Sequence, residues 1–388
     1  SMNITFLNSI MDVPAEQWQK LFADPYPFTQ HAFLAALETS GCVQEATGWQ
    51  PNHILITEND QLLAAMPCYL KTHSYGEYVF DWAWADAYHQ HGLNYYPKLL
   101  AAIPFTPSSG PRLAFAADIR SDAEKLNIIH FIERAIRDKY NQSTLSGWHL
   151  LFPNSALSDL LQRAGWKQRK GIQYHWFNKQ YPSFDDFLET FKSRKRKLVR
   201  KERCAVADQG LLLTVRSGQE IDDALMTEFY RFYHLTYLKR SGQHGYLNLK
   251  FFRLLLTTMA QNLVMICATK SDTIVAAALC FKDDTSLYGR YWGCQQEYPF
   301  LHFEACYYQG IEYCINNGLQ HFDPGAQGEH KIARGFKPVT TLSNHVILHP
   351  EFKHAIEHFI AQESNQIDAH LNHLNHLNTL LPYKTEPL

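Results

Sequence analysis

Five residues recur at one constant interval, and this constrains the fold more than any other feature of the chain. Tyr75, Gly76, Tyr78, His89 and Tyr95 return as Tyr288, Gly289, Tyr291, His302 and Tyr308, each pair 213 positions apart. Both stretches read as a strand, a loop and then a helix, so two copies of one domain are expected. The length of 388 residues suits two or three domains. Apolar residues at 46% against 19% charged leave material for buried cores and no case for disorder.

The order of elements supports the same division. Residues 28–41 read as a short helix capped by Thr29 and closed by Gly41, followed by a hairpin through the Glu58-Asn59-Asp60 turn. A third strand is expected over Gly76–Trp82, another near Ile103–Phe105, and a helix from Asp122 to Tyr140. Strand WHLLF, a helix stopped by Gly165 and strand QYHWF follow. Pro182-Ser183 then opens a long charged helix reaching Gly210. The second half runs from strand LLLTV through helical residues 220–262 to three strands, a helix ending at Gly318, strand HFDPG, strand TLSNHVIL and a helical tail. The expected domains are 1–181 and 211–388, joined by a basic connecting helix, 182–210.

No run of 18 apolar residues is present, so a transmembrane helix is not expected. The start, SMNITFLNSIMDVP, lacks the basic and apolar regions of a secretory signal, and Ser1 reads as an expression scar. Eight cysteines sit singly, with no CxxC pair. The expectation is a cytoplasmic protein with reduced thiols and no structural metal. A formal charge of −2 argues against a general nucleic-acid binder.

That small net charge conceals the block KSRKRKLVRKER, Lys192 to Arg203, where eight cations face Glu202 alone. Arg194, Arg196 and Arg200 are its candidate phosphate contacts, because guanidinium forks grip phosphate bidentately. A solvated helix face is the plainer alternative. The stretch FDPGAQGEHKIARGF carries the strongest signal for chemistry. Asp323 ends a strand there, Gly325 and Gly328 free the backbone, and Glu329, His330, Lys331 and Arg334 follow. Such a loop can supply a base, an acid and cationic stabilisers together. Arg290, Tyr291, Trp292, His302 and Glu304 bracket a strand-to-helix junction and are candidate substrate contacts. Asp81, Asp86, His89 and His91 fit no standard metal spacing. His370, His373 and His376 drift round a helix and read as part of a packing face. No GxSxG, Walker loop, HExxH or GxGxxG fingerprint occurs.

The strings HSYGEYVFDWAWADAYHQHGLNYYPKL, PFTPSSGPRL, GRYWGCQQEYPFLHFEACYYQGIEYC and FDPGAQGEHKIARGF resemble the FemAB-like group of N-acyltransferases linked to peptidoglycan biosynthesis or recognition. The resemblance implies an α+β fold of two tandem GNAT-like domains, each a mixed, mostly antiparallel sheet flanked by helices. It also implies acyl or aminoacyl transfer to an amine. The glycine loop offers Asp323, Glu329, His330 and Lys331 as the catalytic set for it, with Asp323 or Glu329 as base and Lys331 and Arg334 for negative charge. The acyl donor is then a co-substrate, aminoacyl-tRNA or acyl-CoA, with no tightly bound cofactor. The acceptor is a small molecule or a cell-wall precursor amine, and tRNA is a candidate partner through the basic helix. The Gly-rich pyrophosphate loop of GNAT enzymes is missing from QQEYPFLHFEAC, which argues against acetyl-CoA bound in the ordinary way. The rival readings are a non-catalytic glycan- or peptide-binding protein and a GNAT enzyme using a larger acyl-CoA.

Overall fold

Periodicity in the chain is resolved into elements by which faces find a core. The computed structural model describes residues 1–141, 143–243, 245–326, 328–376 and 381–384, with only the backbone of Glu329, Asn375 and His376. Two compact units form, Ser1–Gly171 with Thr340–Asp368, and Ile172–Val339 with Ala369–Leu388. Residues 340–368, expected in the C-terminal domain, thus belong to the first unit. The chain changes units inside two strands, Lys167–Phe177 and Lys337–Ile347, and again inside the tail helix Pro350–His376, and not at the expected connecting helix.

The first unit contains a four-stranded antiparallel sheet in the order Met2–Leu7, His53–Glu58, Gln61–Met66, Ala114–Phe115. Its second sheet places Gly147–Leu151 parallel to Lys98–Ala101, with Cys68–Lys71 and Trp49–Pro51 beyond. The outer edge of Gly147–Leu151 pairs antiparallel with Ser343 to Ile347. Helix Asp122–Lys139 opens with a Ser121/Glu124 capping box. Its Ile128, Ile132 and Ile136 fall on one stripe and are buried with Ile54, Leu99 and Trp148.

The second unit repeats this plan. Leu211–Ser217, Leu263–Lys270, Thr273–Lys282 and Ser286–Cys294 run antiparallel; His321–Asp323 then pairs in parallel with the last. Phe177 and Trp176 pair antiparallel with His321 and Phe322. Successive alanines 276–278 let strand Thr273–Lys282 lie buried on both faces. A continuous helical stretch, Leu301–Phe303, a π turn Glu304–Tyr308 and Gln309–Asn317, packs Ala305, Tyr308, Ile311 and Cys314 into this core. Each unit therefore has antiparallel strands, one parallel pair, and an antiparallel outer strand, which is the tandem GNAT-like α+β plan.

Several expected details change. The 213-residue spacing does not mark equivalent positions: Tyr75 lies in an irregular connection, whereas Tyr288 lies within strand Ser286–Cys294. Gly76–Trp82 forms no strand, because Gly76 and Tyr78 take φ of +80° and +64°, outside the extended region a strand needs. The strand placed near Ile103 is Lys98–Ala101. The helix expected over 28–41 is His31–Thr39 with Gln30 as its cap, since Pro27 to Thr29 form a separate 3-10 turn, and a helix not expected, Ala15–Leu21, precedes it. The charged helix divides into Phe184–Glu189 and Ser193–Asp208, and residues 220–262 into Asp223–Ser241, Leu249–Met259 and a short 3-10 turn. The tail helix runs Pro350–His376, and residues 377–380 lie outside the described part. No helix among the described residues is long and apolar enough to cross a membrane.

Candidate functional site

The parallel register between Ser286–Cys294 and His321–Asp323 ends at Tyr288 opposite Asp323. Beyond it the two backbones carry different chemistry. On the neighbouring strand Leu279 faces Tyr291 and Cys280 faces Gly289, so Arg290 is the extra residue of a β-bulge. The bulge aims its guanidinium at Asp323, and Nη2 donates to Oδ2 at 2.9 Å. Both side chains are buried. Asp323 Oδ1 accepts the Gly325 N–H at 3.0 Å, and His175 Nε2 lies 3.5 Å from it. Burial alone would raise the Asp323 carboxyl; Arg290, His175 and His321 together hold it well below the usual carboxylate range. The ionised carboxylate organises the start of the loop.

Gly325 and Gly328 adopt φ of +113° and +124°, a region closed to most side chains. This path returns Lys331 to the interior, where Nζ donates to the Gly325 carbonyl at 3.1 Å. Lys331 is only 2% exposed. Burial pulls its ammonium down to about 8 against the opposing attraction of Asp323. His330 is exposed, and the side chain of Glu329 lies outside the described residues.

Arg334 and Glu304, both read as substrate contacts, are occupied in ion pairs. Arg334 Nη2 and Nε donate to Glu202 at 2.8 and 3.2 Å, and its guanidinium stacks 3.6 Å from the Phe303 ring centre. Glu304 accepts from Arg203 at 2.8 and 3.1 Å. These pairs fasten the inner face of the basic helix to the loop and to helical residues 301–317. Its outer face carries Arg194 and Arg200, both exposed, and Arg196 and Arg200 approach Glu189 at 3.4 and 3.3 Å.

A cavity of about 300 Å³ opens between helix Asp223–Ser241 and the strand-to-helix junction. Its lining includes Lys239, Arg240, Trp292, Phe300, His302 and Phe303. Side chains alternate along strand Ser286–Cys294. Trp292 thus faces the cavity, while Tyr291 packs among Tyr233, Phe252 and Phe281. Burial, then Arg240, Lys331 and Arg334, push His302 down to about 4, so its imidazole is neutral. Phe300 takes φ +65° at the helix start, a left-handed turn usually left to glycine. The π turn Glu304–Tyr308 follows directly, a feature frequent at functional sites.

Lys239 and Arg240 were not singled out from the sequence. As adjacent cations in the last turn of a helix they look like ordinary complements to the helix dipole. His175 and His321, 2.8 Å apart, lie on strands far apart in the chain and carried no local signal. Arg194, Arg196 and Arg200 do not line the cavity.

The first unit lacks this cluster. Matching the core-facing pairs Leu99–Trp148 and Leu287–Phe322 puts Ala102 at the place of Arg290 and His149 at the place of Asp323. The match is supported by a shared detail. His345, opposite His149, bonds the Ser343 hydroxyl at 2.8 Å, as His175 bonds the Gln173 side chain at 3.0 Å. His149 is kept neutral, its pKa lowered to about 3 by burial.

Similarity to known proteins follows the same plan. The chain is similar to a C-terminal domain (DUF2156) from Agrobacterium fabrum, with 9% identity, 91% of this chain and 96% of that one covered, and a TM-score of 0.52. It is also similar to L-PGS from Bacillus licheniformis, with 13% identity, coverage of 87% and 98%, and a TM-score of 0.50. FemX matches at 12% identity, coverage of 82% and 93%, and a TM-score of 0.48. The curated proteins hold no match. The family model described as FemAB-like, peptidoglycan biosynthesis/recognition, matches residues 9–385, and the chain belongs to that family.

Proposed function

We propose that the chain transfers an acyl or aminoacyl group to an amine, with the second unit holding the reaction. The reaction requires an amine freed of its proton, a carbonyl oxygen bearing negative charge, and a leaving thiolate or alkoxide that regains a proton. The observation that carries the reading is the cavity with a neutral imidazole in its wall and two cations beside it. Lys331 and Arg334 do not line the cavity but both help lower the His302 pKa, so the glycine loop lies within electrostatic reach of it.

In this reading Lys331 takes the proton from the acceptor amine and returns it to the leaving group. Arg290 and Asp323 hold the loop that carries Lys331. Lys239 and Arg240 bind the phosphate-bearing donor, acyl-CoA or aminoacyl-tRNA, and His302 hydrogen-bonds the donor inside the cavity. The family description favours a peptidoglycan precursor as acceptor.

The test is product formation, followed by mass spectrometry, from acyl-CoA or aminoacyl-tRNA and amine-bearing wall precursors. Turnover with neither donor class would defeat the reading. Lys239→Ala/Arg240→Ala should raise KM for the donor by roughly tenfold to a hundredfold with kcat little changed, the loss expected for charge-assisted contacts. If the donor is tRNA, the Arg194/Arg196/Arg200→Gln triple variant should flatten the salt dependence of binding, read by filter binding at several ionic strengths. An unchanged slope would leave the outer face of the basic helix as solvated surface.

A further inference from the structure

Segment 74–82 of the first unit is folded with its charges inward and its rings outward. Glu77 and Asp81 are each 4% exposed, while Tyr75, Tyr78, Phe80 and Trp82 are between 39% and 65% exposed. Solubility alone selects the opposite arrangement. An inversion of this kind marks a surface kept for a ligand.

The buried half is a clamp. Lys71 and Lys98 stand directly opposite each other on antiparallel strands, a placement that repels unless charge is supplied between them. Lys98 Nζ donates to Glu77 and Asp81 at 2.6 Å each and to Ser74 at 3.0 Å. Lys71 lies 3.3 Å from Glu77 and donates to the Tyr75 carbonyl at 3.2 Å. The Tyr95 hydroxyl donates to Asp81 at 2.6 Å. Further along, Arg169 donates to the Phe80 carbonyl at 2.7 Å and is itself paired with Glu363. Gly76 has φ +80°, and a Cβ there would strike the Phe105 ring at 2.6 Å. The exposed rings are thus presented on a pinned backbone, with Tyr75 and Trp82 tilted at 5.0 Å between centroids.

The clamp also has a topological setting. It occupies the connection 72–97, whereas the corresponding strands of the second unit are joined by residues 283–285. The unit that lacks the Arg290–Asp323 chemistry is the one that carries this elaboration.

The outward chemistry selects the ligand class. All four charges of the clamp are buried and spent on one another, so what the segment presents outward is its rings. Three of the four rings carry a polar edge, the Tyr hydroxyls and the Trp N–H. Apolar ring faces beside hydrogen-bonding edges, with Tyr75 and Trp82 set at 59° to each other, match a sugar ring, which has C–H faces and peripheral hydroxyls. We infer that Tyr75, Tyr78, Phe80 and Trp82 form a platform that binds a neutral glycan by stacking. The inference rests on the transfer reading in taking this glycan to be part of the acceptor.

Titration calorimetry of the full chain with chitotetraose, a neutral N-acetylglucosamine tetramer, tests it without donor or turnover. Saturable binding is expected, weakened roughly tenfold in Trp82→Ala and in Tyr75→Ala with circular dichroism unchanged. No binding by the wild type, or equal binding by both variants, would overturn the inference. So would partition onto phosphatidylcholine vesicles that the same variants abolish, since the platform would then be a membrane contact. Because no acyl transfer enters the measurement, the platform and the transferase reading can fail separately.

Discussion

Arg290→Ala should destabilise the protein by about 3–5 kcal/mol, because removing one partner of a buried ion pair strands the other charge. Asp323 is 1% exposed, and Arg290 is the neighbour that most lowers its carboxyl pKa. Urea unfolding followed by circular dichroism measures the loss. Arg290→Ala/Asp323→Ala should recover part of it, since no lone charge is then buried. A single variant within about 1 kcal/mol of wild type would mean that the carboxylate is solvated or differently paired. The carboxylate also holds the Gly325 N–H, so a relaxed Asp323 should disturb the loop that carries Lys331.

Lys331→Met should slow transfer by roughly 10²–10⁴, the range for a positioned proton-transfer group. Its pH dependence has a definite sign. Burial lowers the Lys331 ammonium to about 8, so the neutral amine that accepts a proton grows as pH rises through that value. kcat/KM should therefore climb through about pH 8 and level off above it, and the methionine variant should lose this limb. Lys331→Arg should not restore it, because guanidinium remains charged throughout that range. A wild-type profile flat from pH 7 to 9 would assign the proton transfer elsewhere.

Much of the site was legible because glycine spacing and strand endings are local properties. The FDPGAQGEHKIARGF stretch could be read as a strand entering a hinged loop, and Asp323, Gly325, Gly328 and Lys331 occupy those roles in the structure. The partners were not legible. Arg334 reads as a free cation until Glu202, on a distant helix, is found 2.8 Å away; Glu304 reads as a free carboxylate until Arg203 meets it. Lys239 and Arg240 resemble a helix terminus, and only the packing of helix Asp223–Ser241 beside strand Ser286–Cys294 makes them part of a cavity.

The sequence alone determined many of the element types, the α+β plan and the family, because hydrophobic periodicity, turn residues and long shared strings act over short distances. Tertiary structure decided which residues face inward and which elements belong together. Gly76–Trp82 looked like a strand, yet Lys71 and Lys98 draw Glu77 and Asp81 inside and turn the neighbouring rings outward. Strand Lys337–Ile347 follows the second unit in sequence, but its end pairs with Gly147–Leu151 of the first. Both outcomes depend on long-range pairing, where buried charge must find its counterpart and a strand edge must find its hydrogen bonds.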